Sequence, residues 1–514
     1  MSSVAKNSII VTIFNIAGTA LVFVSNIIIA YKFGAGKAMD VYFAATTAPF
    51  FVMTILSMTL SFTFIPIFTA YEKNEKQDRW EIVSSFINSS LVLTTVICAA
   101  GMIFSRKIMS IITPGFSQLK IEEAAYLMAL LCPAIVACAI NELLASVYYA
   151  HNRFVTPSLN KILNPLLTIL FVLSLGSSLN TKTLALATLS AFLLQTVFLI
   201  AGFLRRKDFS YSLRLNFKHP EVINIFKLMA PLTAAMLITK AMPLTDRFFL
   251  SRLQEGSISY VSYAYRMTLR IIDSTATGLL VALFPVMSAH AASLDYERLY
   301  YYAAKGLKMT VFIVTPFVAI FFIYGHPAIR FLFERGAFTP YDTDSTFKAF
   351  SLYLLSLPAV MAGGIFYKGF YSIQKNAVVA LISASMMLFY IALCMSLLNV
   401  IDYLAIPLSH AISFNASMII SGLVLRRYLN IKGSYGIARE VFKNASSAAI
   451  AVLCIRPIMG IVKDSPLFYF LTVAFGFGIY FVLGKIIFHI EASAILWDQM
   501  VSYRDTFFSR RCRG

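Results

Sequence analysis

Apolar stretches of about 20 residues recur along the whole chain, the length an α-helix needs to cross ~30 Å of hydrocarbon. They are centred near residues 20, 54, 93, 134, 168, 192, 236, 274, 317, 359, 388, 414, 451 and 478. Polar separators between them are short: EKNEKQDRWE at 72–81, RRKDFSYSLRLNFKHPE at 205–221 and RRYLNIKGSYGIARE at 426–440. Two longer gaps, 105–122 and 327–345, look amphipathic. In lipid a spanning backbone must satisfy its own hydrogen bonds, and long continuous apolar runs do so as helices. The pattern therefore predicts an all-α polytopic membrane protein with about fourteen transmembrane helices. The first apolar run continues to about Ala30 with no cleavage pattern, so it reads as span 1 and not as a signal peptide.

Composition agrees with that reading. Of 514 residues, 59% are apolar and only 13% charged, against about 25% charged in a soluble domain. No gap is long enough for a soluble domain, which excludes catalysis by an appended one. The abundant Met and Phe are expected to face lipid. Five of the six cysteines lie in apolar spans, with Cys512 in the basic tail. No Cys/His spacing suggests a metal or a disulfide framework. His151, His290 and His410 are isolated.

The charge is lopsided, 43 Lys+Arg against 24 Asp+Glu, a formal +19. The cations gather in short gaps and form no basic stripe, so a nucleic-acid partner is not expected. They orient the helices instead. With the N-terminus cytoplasmic, the inside gaps 72–81, 205–221 and 426–440 and the tail SRRCRG hold roughly twice the Lys/Arg of the outside set, and both termini are cytoplasmic. The gaps 105–122 and 327–345 put several cations on the opposite side.

The sequence also repeats itself at an offset of about 220 residues. GKAMDVYFAAT (36–46) lies beside GSISYVSYAYR (256–266), pairing Gly36 with Gly256; FIPIFTAY (64–71) resembles LFPVMSAH (283–290), pairing Pro66 with Pro285. Further on, Phe116 pairs with Phe338 and Tyr149 with Tyr371. A repeat of that length covers six spans. Because six is even, both copies cross the membrane in the same sense. The expected plan is two six-helix lobes, 1–215 and 216–432, around a central cavity, with two more helices and the basic tail in 433–514. That is a transporter plan, with alternating access by one lobe rocking against the other.

Charges within spans are costly and mark candidate sites. Lys240 lies in LITKAMPL of span 7, where Pro243 interrupts the helix, and Asp246 and Arg247 follow. Arg266, Arg270 and Asp273 share one face of span 8 by their spacing. They read as a diphosphate clamp in which Asp273 steadies an arginine, or as snorkelling cations near the helix start. Lys368 follows GGIFY in span 10, and Glu142 in span 4 is a candidate proton or counter-ion site that Asn141 and nearby helices could satisfy. Asp40, near the start of span 2, stands where an acid stabilises the helix dipole. Gly34 and Gly36 are expected to make the turn before it.

KFGAGKAMDVYFAATTAPF (32–50), ITPGF (112–116), HNRFVTPSLNKILNP (151–165), TDRFFLSRLQEGSISYVSYAYRM (245–267), ALFPVMSAH (282–290), LFERGAFTPYDT (332–343) and GFYSIQKN (369–376) resemble the MurJ/MviN family. These are lipid II flippases of the multidrug/oligosaccharidyl-lipid/polysaccharide exporter superfamily, and fourteen spans match their architecture. The resemblance implies movement of a polyprenyl-diphosphate-linked glycan from the inner to the outer leaflet of the bacterial cytoplasmic membrane. Cavity cations would substitute for the diphosphate's hydration. Arg266 in YAYRM matches a family cation. The family's first-span arginines have no counterpart in GTALVFVSN (18–26), where Thr19 and Ser25 stand, and Met53 stands near the cation expected in span 2. Asp246 matches a position tied to cation coupling in some members, but the carboxylates of spans 11 and 12 that would complete such a site are missing.

A lipid II-like precursor is thus the expected substrate. The alternative is the lipid-linked repeat unit of an exopolysaccharide or O-antigen, and a cation-coupled multidrug exporter ranks below both. No paired carboxylates or His/Arg phosphate signature suggests an enzyme. No G-x-x-x-x-G-K-[ST] loop suggests nucleotide use. Transport without a cofactor, driven by membrane potential or an ion gradient, and a monomeric state are expected.

Overall fold

Helices account for nearly all of the regular structure because apolar runs and unpaired backbone in lipid leave no alternative. The computed structural model describes residues 3–73, 79–205, 211–213, 216, 219–275, 277–433, 435–461, 465–494 and 497, among which there is no strand. The basic tail with Cys512, residues 74–78 of the 72–81 gap and residues 206–210, 214–215 and 217–218 of the 205–221 gap lie outside the described residues.

The chain forms two compact units, Met1–Tyr260 with Phe333–Asp342, and Val261–Leu332 with Thr343–Gly514. The first holds α1 (Ser3–Phe33), α2 (Lys37–Lys73), α3 (Arg79–Ile103), α4 (Ser105–Ile112), α5 (Gln118–Leu131), α6 (Pro133–Ala150), α7 (Val155–Leu179), α8 (Thr181–Leu204), α9 (Pro220–Thr239), α10 (Met242–Leu250) and the start of α11 (Ser257–Thr275). The second holds the rest of α11, α12 (Thr277–Ala292), α13 (Tyr296–Phe333) but for its last residue, α14 (Pro340–Leu354) from Thr343 on, α15 (Leu357–Ser372), α16 (Asn376–Ile401), α17 (Ala405–Tyr428), α18 (Ile437–Ile461) and α19 (Pro466–Ile486).

By length and hydropathy, twelve of these segments can cross a membrane. One of them, Asn376–Tyr428, is 53 residues long and contains two helices, α16 and α17, separated by a reversal at Asp402. The contacts below require a further crossing through α11 and α12. Both observations are consistent with fourteen crossings.

The backbone carries the repeat more sharply than the side chains do. Positive φ recurs 222 residues apart three times: Gly34 and Gly256, Asn152 and Gln374, Asn180 and Asp402. Asn180 and Asp402 even share one unusual conformation, φ 49°, ψ −136° and φ 55°, ψ −140°. The two spans with the largest buried share, Gln118–Ala150 at 67% and Pro340–Ser372 at 61%, are also 222 residues apart at their starts, and each breaks once near its middle. This corrects the pairing at the first turn. Gly256 corresponds to Gly34, which has φ +66°, whereas a Cβ on Gly36 would meet open space.

In the first unit α2 packs on α6, α5 and α9, while α7 lies between α1 and α8. The phenylalanines there divide: some, such as Phe62 and Phe198, are exposed as expected of a lipid face, while others build the core. Phe64 stacks on Phe68 and Phe86 in a buried cluster with Leu143, Val147 and Tyr148, because aromatic rings bury more apolar area than other side chains. Other lipid-facing positions are filled by residues such as Ile16, Leu170, Leu173 and Val197. In the second unit α17 packs on α15 and α16, and α18 pairs with α19. The 327–345 gap is shorter than its sequence suggests. α13 continues through Pro316 and Pro327 to Phe333, since a spanning helix tolerates proline where neighbouring groups satisfy the freed backbone.

Four connections of the chain meet in the first unit. The amide of Ala337 donates to the Tyr31 carbonyl at 2.8 Å, and the amide of Gly115 donates to Ser251 Oγ at 3.2 Å. Lys120 pairs with Glu255 at 2.6 Å, and that hydrogen-bonded ammonium holds the Glu255 carboxyl below the usual carboxylate range. These connections follow spans 1, 3, 7 and 9, so all four lie on one side of the membrane. α13 crosses once between Tyr296 and Phe333, so the chain between residues 257 and 295 must cross as well. One of the cations that sat on the unexpected side is also accounted for: Arg106 pairs with Glu122 at 3.1 Å.

Candidate functional site

The break in span 7 is a local consequence of Pro243. Proline cannot donate to the carbonyl four residues back, so α9 ends at Thr239 and α10 restarts at Met242 with Pro243 in its first turn. Lys240 caps α9, its own amide donating to the Met236 carbonyl at 2.9 Å. A half-buried cation thus stands at the negative end of a helix dipole within a membrane segment. One turn on, Arg247 Nε donates to Thr47 Oγ1 of α2 at 3.2 Å, and Asp246 is half-buried beside it.

On α11 the expected face forms. Arg266 and Arg270 are half-buried, and Arg270 pairs with the exposed Asp273 at 3.1 Å. Lys368 of α15 lies over the ring of Phe284 on α12, 4.6 Å from its centroid. A desolvated contact of this kind is worth roughly 1–2 kcal/mol and holds the ammonium in place. Lys240, Arg247, Asp246, Asp40 and Glu142 belong to the first unit; Arg266, Arg270, Asp273 and Lys368 belong to the second.

Two acids have partners far away in sequence. Asp40 does act on a helix dipole, but chiefly on that of α11. Its Oδ2 accepts from the Gly256 amide at 2.6 Å, and its Oδ1 from the Ser259 amide at 2.8 Å and Ser259 Oγ at 2.6 Å. Glu142 is bound by α2: Ser57 Oγ donates to Oε1 at 3.0 Å and Ser61 Oγ to Oε2 at 3.3 Å. Asn141 does not satisfy it; its amide donates to the Phe192 carbonyl at 3.3 Å. No local pattern could have revealed these partners, since Ser57 lies 85 residues from Glu142 and Ser259 lies 219 from Asp40.

The first-span positions carry no hidden cation. Thr19 donates to its own helix at the Asn15 carbonyl, and Ser25 and Met53 are buried.

A helical chain with duplicated six-span halves, broken spans and membrane-embedded cations has the build of a transporter. Its fold is similar to that of an inward-facing multidrug resistance MATE family transporter of the MOP superfamily, with a TM-score of 0.68 and 13% identity, covering 82% of this chain and 94% of that one. It is more similar to a lipid II flippase MurJ in an inward closed conformation, with a TM-score of 0.77 and 20% identity over 96% of this chain and 100% of the other. In sequence it is 27% identical over 386 residues to a protein of Buchnera aphidicola subsp. Schizaphis graminum named "Probable lipid II flippase MurJ", covering 73% of this chain and 74% of that one. The family model described as lipid II flippase MurJ matches residues 29–477. The chain belongs to the MurJ family.

Proposed function

We propose that the protein is a flippase that carries a polyprenyl-diphosphate-linked glycan, of the lipid II kind, from the inner to the outer leaflet by alternating access. The observation that carries this reading is the family match over residues 29–477. The sign of the in-span charge agrees with it: Lys240, Arg247, Arg266, Arg270 and Lys368 are half-buried cations suited to a diphosphate. The lipid tail can remain in the bilayer while these groups replace water around the phosphates.

In this reading 1–215 and 216–432 are the two moving lobes, and 433–514 adds two helices and the tail. The protein sits in the bacterial cytoplasmic membrane with both termini inside and works as a monomer. It performs no covalent chemistry and uses no cofactor, nucleotide or nucleic acid; the membrane potential or an ion gradient drives it. Lys240 supplies part of the positive charge that the first span lacks.

The experiment is complementation of a flippase-depleted bacterial strain. Lys240→Ala and Arg266→Ala are each expected to abolish growth rescue while membrane levels of the protein stay normal, and Arg266→Lys is expected to retain part of it. Full rescue by Lys240→Ala would remove that residue from the substrate path.

A further inference from the structure

Among the described residues, Glu142 is held only by groups that can both give and take a hydrogen bond. Ser57 and Ser61 are four residues apart on α2, so their hydroxyls line one face, and each reaches a different oxygen of the carboxylate. Among the described residues, no Lys or Arg makes an ion pair with it. The charged and titratable groups facing it are Cys138 and Tyr149 on its own helix and Lys161 on α7, which is exposed. The Cys138 thiol lies 3.6 Å from Ser57 Oγ. α2 contributes only the two serines.

Asp40 shows the contrast on the same helix. Two of its three donors are backbone amides, which donate but cannot accept, so a proton on Asp40 would find no acceptor in either. Around Glu142 the same atoms serve either state. When Glu142 takes a proton from water, its new O–H donates to Ser61 Oγ. The Ser61 O–H then turns to the carbonyl four residues earlier on α2, a common serine contact in helices. Ser57 continues to donate to the other carboxyl oxygen. Neither state leaves a buried polar group stranded, and the half-buried setting of Ser57, Ser61 and Glu142 leaves a route for the proton.

We propose that Glu142, with Ser57 and Ser61, is a proton-exchange site inside the first unit, loaded and unloaded during the transport cycle. It rests on the transporter reading above and names protons as the coupling ion. α6 belongs to the most buried span, and α2 carries both this site at Ser57 and the α11 cap at Asp40. Gain or loss of charge at Glu142 therefore changes what holds α2 against α6, and α2 hands that change on to α11.

The test is infrared difference spectroscopy of the full-length protein in lipid nanodiscs, titrated with pH. The wild type is expected to show a protonated-carboxyl C=O band that grows as pH falls. Glu142→Gln should remove one component of it, and Ser57→Ala with Ser61→Ala should move that component's midpoint by about one pH unit, the size of one modest hydrogen-bonding change. Glu142→Gln is close to isosteric, and circular dichroism establishes that it folds. A titrating band that persists unchanged in Glu142→Gln overturns the proposal, as does a band displaced by sodium at constant pH. Lipid II transport in proteoliposomes is read separately. If the wild type moves no lipid II while the band behaves as expected, the transporter reading fails and the proton site stands. If lipid II moves and the band ignores Glu142, the proton site alone fails.

Discussion

Asp40→Ala is expected to produce the largest loss of any single side chain in the protein. Three donors converge on that carboxylate, and it is buried. Removing it strands the amides of Gly256 and Ser259 at the start of α11, each costing ~1–3 kcal/mol when no water replaces the partner. It also removes the negative charge that offsets the α11 dipole, worth up to ~2 kcal/mol in a partly buried setting. The sum is on the order of 2–8 kcal/mol, and it falls on the contact joining span 2 to span 8. Thermal unfolding of the purified protein in detergent should therefore shift sharply downward, and complementation should fail. Asp40→Asn keeps one acceptor oxygen and should lose less. If Asp40→Ala unfolds at the wild-type temperature, the cap does not hold these helices together.

Gly336→Val is expected to come second. Gly336 has φ +62°, in the region where L-residues are strained, and a Cβ there would collide with the Tyr31 carbonyl oxygen and side chain. A β-branched residue in that conformation costs ~1–3 kcal/mol, and the clash is with backbone, which no rotamer change relieves. The neighbouring hydrogen bond from Ala337 to Tyr31 would break, separating the connection after span 9 from the end of span 1. Gly34 faces Ala337 across the same junction with φ +66°, so the contact is tight from both sides. Expression and thermal stability should both fall in Gly336→Val. Gly460→Ala is the control: its Cβ would meet nothing within 4 Å, and it should be neutral or slightly stabilising. Equal behaviour of the two variants would show that this junction does not need close approach.

Much of the fold was legible because the bilayer imposes simple rules. Long apolar runs must be helices, and the spacing of Phe116 to Phe338 and Tyr149 to Tyr371 exposed a duplicated half. Pro243 likewise announced the break at Lys240, and the spacing of Arg270 and Asp273 announced their pairing. The repeat's register at the first turn was misjudged by two residues, since letter identity favoured Gly36 while backbone conformation selects Gly34. The amphipathic stretch from 327 is helical as far as Phe333, with Pro327 inside the helix, because tertiary neighbours make good what a local rule counts as lost. The Phe-rich composition suggested a lipid face but fills the core at Phe64, Phe68 and Phe86. The partners of Asp40 and Glu142 had no sequence signal, for each depends on helices brought together by folding.

Movement of a lipid-linked peptidoglycan precursor across the membrane can be observed in cells. The most direct measurement is the accessibility of lipid II to an external probe in cells depleted of their native flippase and carrying only this protein. Lipid II is expected to become accessible at the outer leaflet with the wild type and to stay inside with Arg266→Ala. That expectation is contradicted if lipid II stays inside with the wild type while an exopolysaccharide or O-antigen intermediate appears outside.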